Sequence, residues 1–402
     1  MTEPIVITGA GIVSAIGIGK AATLKALRQG QTGIAPLRYL NTAHREFPVG
    51  EVKLSNEEMK HRLGITAEPT NRTALMGMLA MQEALEEAGL AAQGEVRLAT
   101  GGEVALVSGT TVGGMDKSEE YYLDFLAGDT RNDYIRTHDC GATTELMARY
   151  FGSLFTMVTS VSTACSSAAN AIIFGANLIR SGQTSIAVVG GSECITKFHL
   201  NGFNTLMILD HEQCRPFDDT RAGLNLGEGA SYLVIETLAS ARSRGATVLA
   251  RLSGYGNACD AFHQTASSDD GQGAYLAMQH ALSMAGLQPC DISYVNAHGT
   301  GTPNNDLSES RALQRLFGSS LPPVSSTKGM TGHTTSASGS IEATICLLAL
   351  QHQFVPVNYG FTHPMPDGIT PATDATPQRP LEHVMCNAFG FGGNDSSIII
   401  SK

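Results

Sequence analysis

Short, continuously apolar runs rich in Val and Ile alternate along the chain with longer stretches in which apolar residues recur every three or four positions. Pro4-Ile-Val-Ile-Thr, Val104–Ser108, Ser185–Gly191 and Ser231–Glu236 show no polar alternation, which is the pattern of strands buried on both faces. Ala74 to Ala88, rich in Ala, Met and Leu, has helical spacing and reads as the core face of a helix. This alternation predicts a layered α/β protein.

A weak internal duplication emerges from the same pattern. Thr159-Ser-Val-Ser-Thr-Ala-Cys165 and Val324-Ser-Ser-Thr-Lys328 are each a β-branched run, then a Ser/Thr turn, then an Ala/Ile/Leu-rich helical stretch. A helical segment near Leu238–Arg244 precedes Arg251-Leu-Ser-Gly-Tyr-Gly, which places a boundary near residue 245 and gives two units, 1–245 and 246–402. With 402 residues, two subdomains are expected on size alone.

Composition narrows the function classes. The chain is 42% hydrophobic and 16% charged, with net charge −11, which argues for a compact globular body and against a nucleic-acid surface as its main function. No stretch has the length of a membrane span, and the N-terminal residues lack the charge and apolar run of a signal peptide, so a cytoplasmic protein is expected. The eight cysteines include no C-x-x-C pair, and Cys194, Cys346 and Cys386 sit among apolar residues as core packing would place them.

Four segments carry candidate chemistry. Cys165 stands where a strand gives way to a helix, so the dipole end of that helix is expected to favour the thiolate and prepare a nucleophile. A lone cysteine is more often inert packing, but three further segments point the same way. Val295-Asn-Ala-His298-Gly-Thr300-Gly-Thr302-Pro delivers a histidine from a strand into a Gly/Thr loop. Val324-Ser-Ser-Thr-Lys328-Gly-Met-Thr-Gly-His333 offers a lysine and a second histidine. Asn387-Ala-Phe389-Gly-Phe391-Gly-Gly is a glycine-rich turn with backbone N–H groups open to a ligand. Lys328 has small and apolar neighbours; buried there it needs a carboxylate, Glu342 or Glu309. Asp306 and Glu309 read either as loop supports or as hard-metal ligands.

In this order, and together with Arg215-Pro-Phe-Asp218 and Gly223-Leu-Asn-Leu-Gly-Glu-Gly229, the segments resemble the β-ketoacyl-acyl carrier protein synthases over nearly the whole chain. The resemblance implies a thiolase-like fold, two related βαβαβαββ halves in a five-layer αβαβα body. It implies decarboxylating Claisen condensation, in fatty acid biosynthesis or in a polyene or polyketide pigment pathway, with Cys165 carrying the acyl group. The N–H groups of Cys165 and Phe391 would form the oxyanion hole, and His298 and His333 would stabilise the enolate. Lys328 would be a fixed charge beside them, with Glu309, Glu342 and Asp306 in support. Thr300 and Thr302 would bind the phosphopantetheine arm of acyl carrier protein, the expected partner, and no separate cofactor or metal is called for. Val112 would reach across a dimer interface to the acyl pocket, with Phe389 and Phe391 lining it. Lys60, Arg62 and Arg72 would dock the acidic carrier. A homodimer is expected, with a heterodimer containing a chain-length partner as the other arrangement.

Two departures from the family pattern stand out: Asn394-Asp395 follows the glycine turn where Thr-Asn is usual, and Met207 occupies a position that is often basic. Two other classes are weighed. A coenzyme A-dependent thiolase would need a second catalytic cysteine in a Cys-x-Gly run near the last turn, which Cys386 does not supply. A non-catalytic chain-length partner would lack Cys165.

Overall fold

The computed structural model describes residues 3–66, 69–92, 95–96, 103–128 and 133–402. Among the described residues an eleven-stranded sheet has ten strands along its main path: β1 (Ile5–Ser14), β2 (Val104–Gly109), β3 (Phe155–Val161), β4 (Ile186–Glu193), β5 (Gly229–Thr237), β6 (Ala250–Cys259), β7 (Tyr294–Asn296), β8 (Val324–Ser325), β9 (His383–Gly390) and β10 (Asn394–Ser401), with the short strand Gly17–Ile18 paired to β1 beside that path. Their spatial order makes the duplication explicit. The first five run β3-β2-β4-β5-β1 and the second five β8-β7-β9-β10-β6, so each strand has its counterpart five places later.

Directions repeat as well. β2 is parallel to β3 and β4, and β5 is antiparallel to β4 and β1. Likewise β7 is parallel to β8 and β9, and β10 is antiparallel to β9 and β6. The two sheets meet where Ile5–Ile7 of β1 pair antiparallel with Ala250–Leu252 of β6.

Helices complete the layers: α1 (Arg72–Glu87), α2 (Ser167–Arg180), α3 (Lys197–Thr205), α4 (Gln272–Ala285), α5 (Pro303–Phe317) and α6 (Ser338–His352). Asn71 caps α1 by accepting from the Ala74 N–H at 2.8 Å. The apolar face of α1 shares a core with β1, β2 and β5, while α4 and α5 share another with β7 and β10. Between the sheets lie α2 and α6, whose apolar residues join those of both sheets in the largest core. Every residue of α6 from Ser338 to Leu350 is buried, as befits a helix enclosed on all sides. The two central helices meet without room for a larger residue, since a Cβ on Gly339 would lie 2.8 Å from the Cβ of Ala169. Layer by layer this is the expected αβαβα arrangement. Among the described residues no helix is long and apolar enough to cross a membrane.

The topology brings the candidate chemistry to one place. β3, β7, β8 and β9 end on the same side, and their C-terminal ends lead to Cys165, His298, Lys328 and the Gly390–Gly393 turn respectively. The carboxyl ends of parallel strands are where open α/β sheets form their clefts.

Arg72 corrects an expectation. It is the first residue of α1 and only 7% exposed, with Nε donating to Glu228 at 2.9 Å and Nη1 to the carbonyl of Leu54 at 3.0 Å. Burial opposes the charge, but the Glu228 carboxylate overrides it and holds the guanidinium charged. A side chain spent on an internal ion pair has nothing left to offer a docking partner. Lys60 and Arg62 do lie at the surface, on the helix Asn56–Leu63, with Lys60 paired to Glu57 at 3.3 Å. Replacing Arg72 by Ala strands a buried carboxylate, so urea denaturation should show a loss of roughly 3–5 kcal/mol. Arg62→Ala, measured beside it, should leave the midpoint unchanged.

Candidate active site

Cys165, His298, His333, Phe389 and Phe391 line a single cavity of about 330 Å³, together with Thr300, Thr302, Phe203, Ile208 and Leu224. The structure therefore gathers at one site residues that lie more than half the chain apart. Cys165 follows Ala164, which takes φ +51°, a left-handed conformation costly for a residue with a side chain and associated with functional turns. The turn is held by the hydroxyl of Ser167, which accepts from the Thr163 N–H at 2.9 Å and donates to the carbonyl of Ala164 at 2.6 Å.

The expected thiolate is not the resting state of Cys165. Burial pushes its thiol up to about 12; the Lys328 charge and a hydrogen bond from the Phe391 N–H act in the opposite direction, and Glu193 adds to the rise. The first N–H groups of the nucleophile's helix are already engaged, Ser166 with Thr163 at 3.3 Å and Ser167 with Ala164 at 3.2 Å. Those bonds leave less of the helix end for the sulfur than the sequence suggested. Phe391 lines the same cavity as Cys165, which puts its backbone on the side of the sulfur that the cavity exposes.

Both histidines are buried and neutral. Burial lowers each well below the usual imidazole value, the nearby Lys328 charge lowers them further, and the two residues in turn feel His333 and His199. Their rings meet edge to face with centroids 5.2 Å apart. Lys328 Nζ donates to His298 Nδ1 at 3.3 Å. That assigns Nδ1 as acceptor and leaves Nε2–H as the donor of the ring.

Lys328 is 1% exposed and takes Glu342, not Glu309, as its counter-ion. Burial pushes the Glu342 carboxyl up to about 7 against the pull of Lys328. Glu309 instead accepts from the backbone N–H groups of His298 at 2.9 Å and Gly299 at 2.8 Å. Asp306 does the same for Thr300, Gly301 and Phe217, at 3.0, 3.2 and 2.7 Å. Both carboxylates thus shape the His298 loop, which is the first of the two roles read from the sequence. Thr300 and Thr302 face the cavity, their hydroxyls 2.8 Å apart.

Val112 is not brought to this cavity. It is 2% exposed in the core of its own chain beside α1, and its N–H donates to Glu193 at 3.2 Å. A side chain packed inward in this way has no surface to project into a neighbouring subunit. Met207 is 87% exposed just beyond α3, between Phe203 and Ile208 of the cavity wall, so the rim is apolar there.

The sequence reading missed how the Phe391 turn is fastened. Asn394 Oδ1 accepts from Ser166 Oγ at 2.8 Å, Asn170 Nδ2 at 2.6 Å and Asn257 Nδ2 at 3.1 Å, tying the turn to α2 and β6. Asp395, beside it, is buried and pushed up to about 8 by that burial, then by Asp260 and Glu309. The only signal in the sequence was the departure at these two positions. Phe391 itself stacks on Phe203, with ring centroids 5.9 Å apart.

Comparison with known proteins bears on the whole chain. Residues 2–241 match the family described as "Beta-ketoacyl synthase, N-terminal domain" and residues 249–362 the one described as "Beta-ketoacyl synthase, C-terminal domain". The chain is similar to nodulation protein E of Rhizobium meliloti, 33% identical with all of both chains covered. It is also similar to 3-oxoacyl-acyl-carrier-protein synthase 2 of Vibrio cholerae, 30% identical over 99% of each. Among solved structures, the ishigamide ketosynthase/chain length factor superposes with a TM-score of 0.90 at 29% identity, covering both chains completely.

The fastening of the turn can be tested directly. Asn394→Ala removes an acceptor shared by the buried Ser166, the half-buried Asn170 and the exposed Asn257, and a loss of about 1–3 kcal/mol in denaturation is expected. Hydrogen exchange should quicken at Phe391–Gly393 while β1 and β5 stay protected.

Proposed function

The chain belongs to the β-ketoacyl synthase family, and from that premise we propose that it condenses a carrier-bound acyl group with malonyl-acyl carrier protein to give a 3-oxoacyl product two carbons longer. The observation that carries this reading is the cavity in which Cys165 faces two neutral histidines. Acyl transfer to Cys165 forms a thioester and releases the carrier's thiol. Its carbonyl oxygen, as it gains charge, is met by the N–H groups of Cys165 and Phe391.

Malonyl thioester then loses CO₂, and the electron pair of the broken bond passes into an enolate. Imidazole N–H donors in a water-poor pocket stabilise its oxygen far better than solvent would. The enolate carbon attacks the acyl carbonyl and the Cys165 sulfur leaves. Neutral histidines suit this step because each ring keeps one N–H to donate while its other nitrogen accepts from the protein. Lys328 serves as a fixed charge, its ammonium being spent on Glu342 and His298.

Thr300 and Thr302 would hold the phosphopantetheine arm, and acyl carrier protein would be the partner, docked near Lys60 and Arg62 and around the apolar rim at Met207. The likeness to the ishigamide ketosynthase/chain length factor favours a second reading of the pathway: elongation of a polyketide-type chain, in which a chain-length partner would replace the second copy in the dimer. Incubating the protein with acyl carriers of graded length and saturation, with mass spectrometry of Cys165 and of the products, separates the two.

Cys165→Ala should abolish acyl loading and condensation, and a protein that still loads another residue overturns the mechanism. His298→Ala or His333→Ala should slow malonyl decarboxylation by about 10² while acyl loading falls little, the scale of one lost donor to a developing oxyanion. Equal loss in both half-reactions would assign the histidines to thiol deprotonation instead.

A further inference from the structure

His333 is held twice, and the two restraints separate cleanly. Its backbone is fixed by the loop before β5: the N–H donates to the Asn225 carbonyl at 2.7 Å, and its carbonyl accepts from the Gly227 N–H at 2.9 Å. Its ring is fixed elsewhere. Nδ1 lies 3.1 Å from the hydroxyl oxygen of Ser338, the first residue of α6, and Ser338 is 1% exposed. Thr334 Oγ1 donates to that same oxygen at 3.4 Å.

The direction of the Ser338 bond follows from counting protons. A serine hydroxyl has one proton and two lone pairs. With Thr334 donating into one lone pair, the Ser338 proton remains, and His333 Nδ1 is the acceptor within reach. Were the ring instead to donate from Nδ1, the Ser338 oxygen would receive two protons while its own had no acceptor among the described residues, a costly arrangement in a buried site. In the favoured arrangement Nδ1 accepts and the ring proton sits on Nε2, on the side of the cavity.

We infer that Ser338 is a positioning residue that sets His333 in the Nε2–H tautomer and aims that N–H into the cavity. It does for His333 what Lys328 does for His298, with a neutral hydroxyl in place of an ammonium. Two rings are thereby prepared alike by chemically different donors. The pairing also spares the cavity a second buried cation, whose charge would need a further carboxylate. The inference rests on the proposed enolate role of His333 only for its kinetic consequence; the tautomer is a property of the resting protein.

The experiment uses Ser338→Ala and Ser338→Thr in the full chain, each also combined with Cys165→Gln so that malonyl decarboxylation is read without condensation. Ser338→Ala removes one oxygen at the start of a helix, where Ala is well tolerated, and melting temperatures verify that folding is intact. The expected result is a fall of about tenfold in the kcat of decarboxylation, with KM for malonyl carrier protein and acyl loading of Cys165 little changed, and recovery in Ser338→Thr. In protein labelled with ¹⁵N-histidine, Ser338→Ala should shift the His333 Nδ1 resonance towards that of a nitrogen without a hydrogen bond. An unchanged kcat with an unchanged Nδ1 resonance overturns the inference. If the Cys165→Gln protein itself fails to decarboxylate, the functional reading falls, while the resonance still decides the role of Ser338.

Discussion

The site depends on a single buried cation. Lys328 lies almost without exposure between the Glu342 carboxylate and His298 Nδ1, and a buried ammonium costs stability unless it is paired in this way. Glu342 comes from the second turn of α6, an element that cannot shift without disturbing the core between the two sheets. One charge, so anchored, selects the tautomer of His298, helps keep both histidines neutral and opposes the rise that burial imposes on Cys165.

Dryness is therefore both the cost and the means of the chemistry. The burial that raises the thiol of Cys165 also removes the protons from the histidines, and it makes each donor in the cavity count for more than it would in water. The polar groups that remain are almost all committed. Glu309 and Asp306 hold backbone N–H groups of the His298 loop, and Glu193 holds the segment after β2 through the Thr110 hydroxyl at 2.8 Å and the Val112 N–H. What faces the cavity includes a thiol, two imidazole rings, the Thr300 and Thr302 hydroxyls and the glycine turn.

Most of this was legible because it is local in sequence. A strand followed by a small-residue turn and a helix identified Cys165, His298 and Lys328, and the repeated pattern pointed to two halves. The failures all involve partners far away in the chain. Arg72 looks like a surface cation until Glu228 is folded against it, and Val112 looks like a pocket residue until it is buried in the core it shares with α1. The thiolate expected at Cys165 followed from a helix end considered alone, whereas burial is set by the whole fold. Ser338 carried no sign of its role, and Asn394 only a departure from the family pattern, since a serine or an asparagine in a turn is ordinary until its acceptor or donor is known.

Because α2 and α6 close to the distance allowed by Gly339 and Ala169, the two halves are assembled through the helices that follow Cys165 and His333 in the chain. Cys165 comes from the first half and both histidines from the second, so neither half alone lines the whole cavity. Pairings between residues so distant along a chain form late in folding, after the entropy of closing long loops has been met. A nascent chain that has made only its first half holds Cys165 without the groups that would put it to use. The gathered site is thus a property of the completed fold, and a first half folded by itself would hold a cysteine without its two imidazole partners.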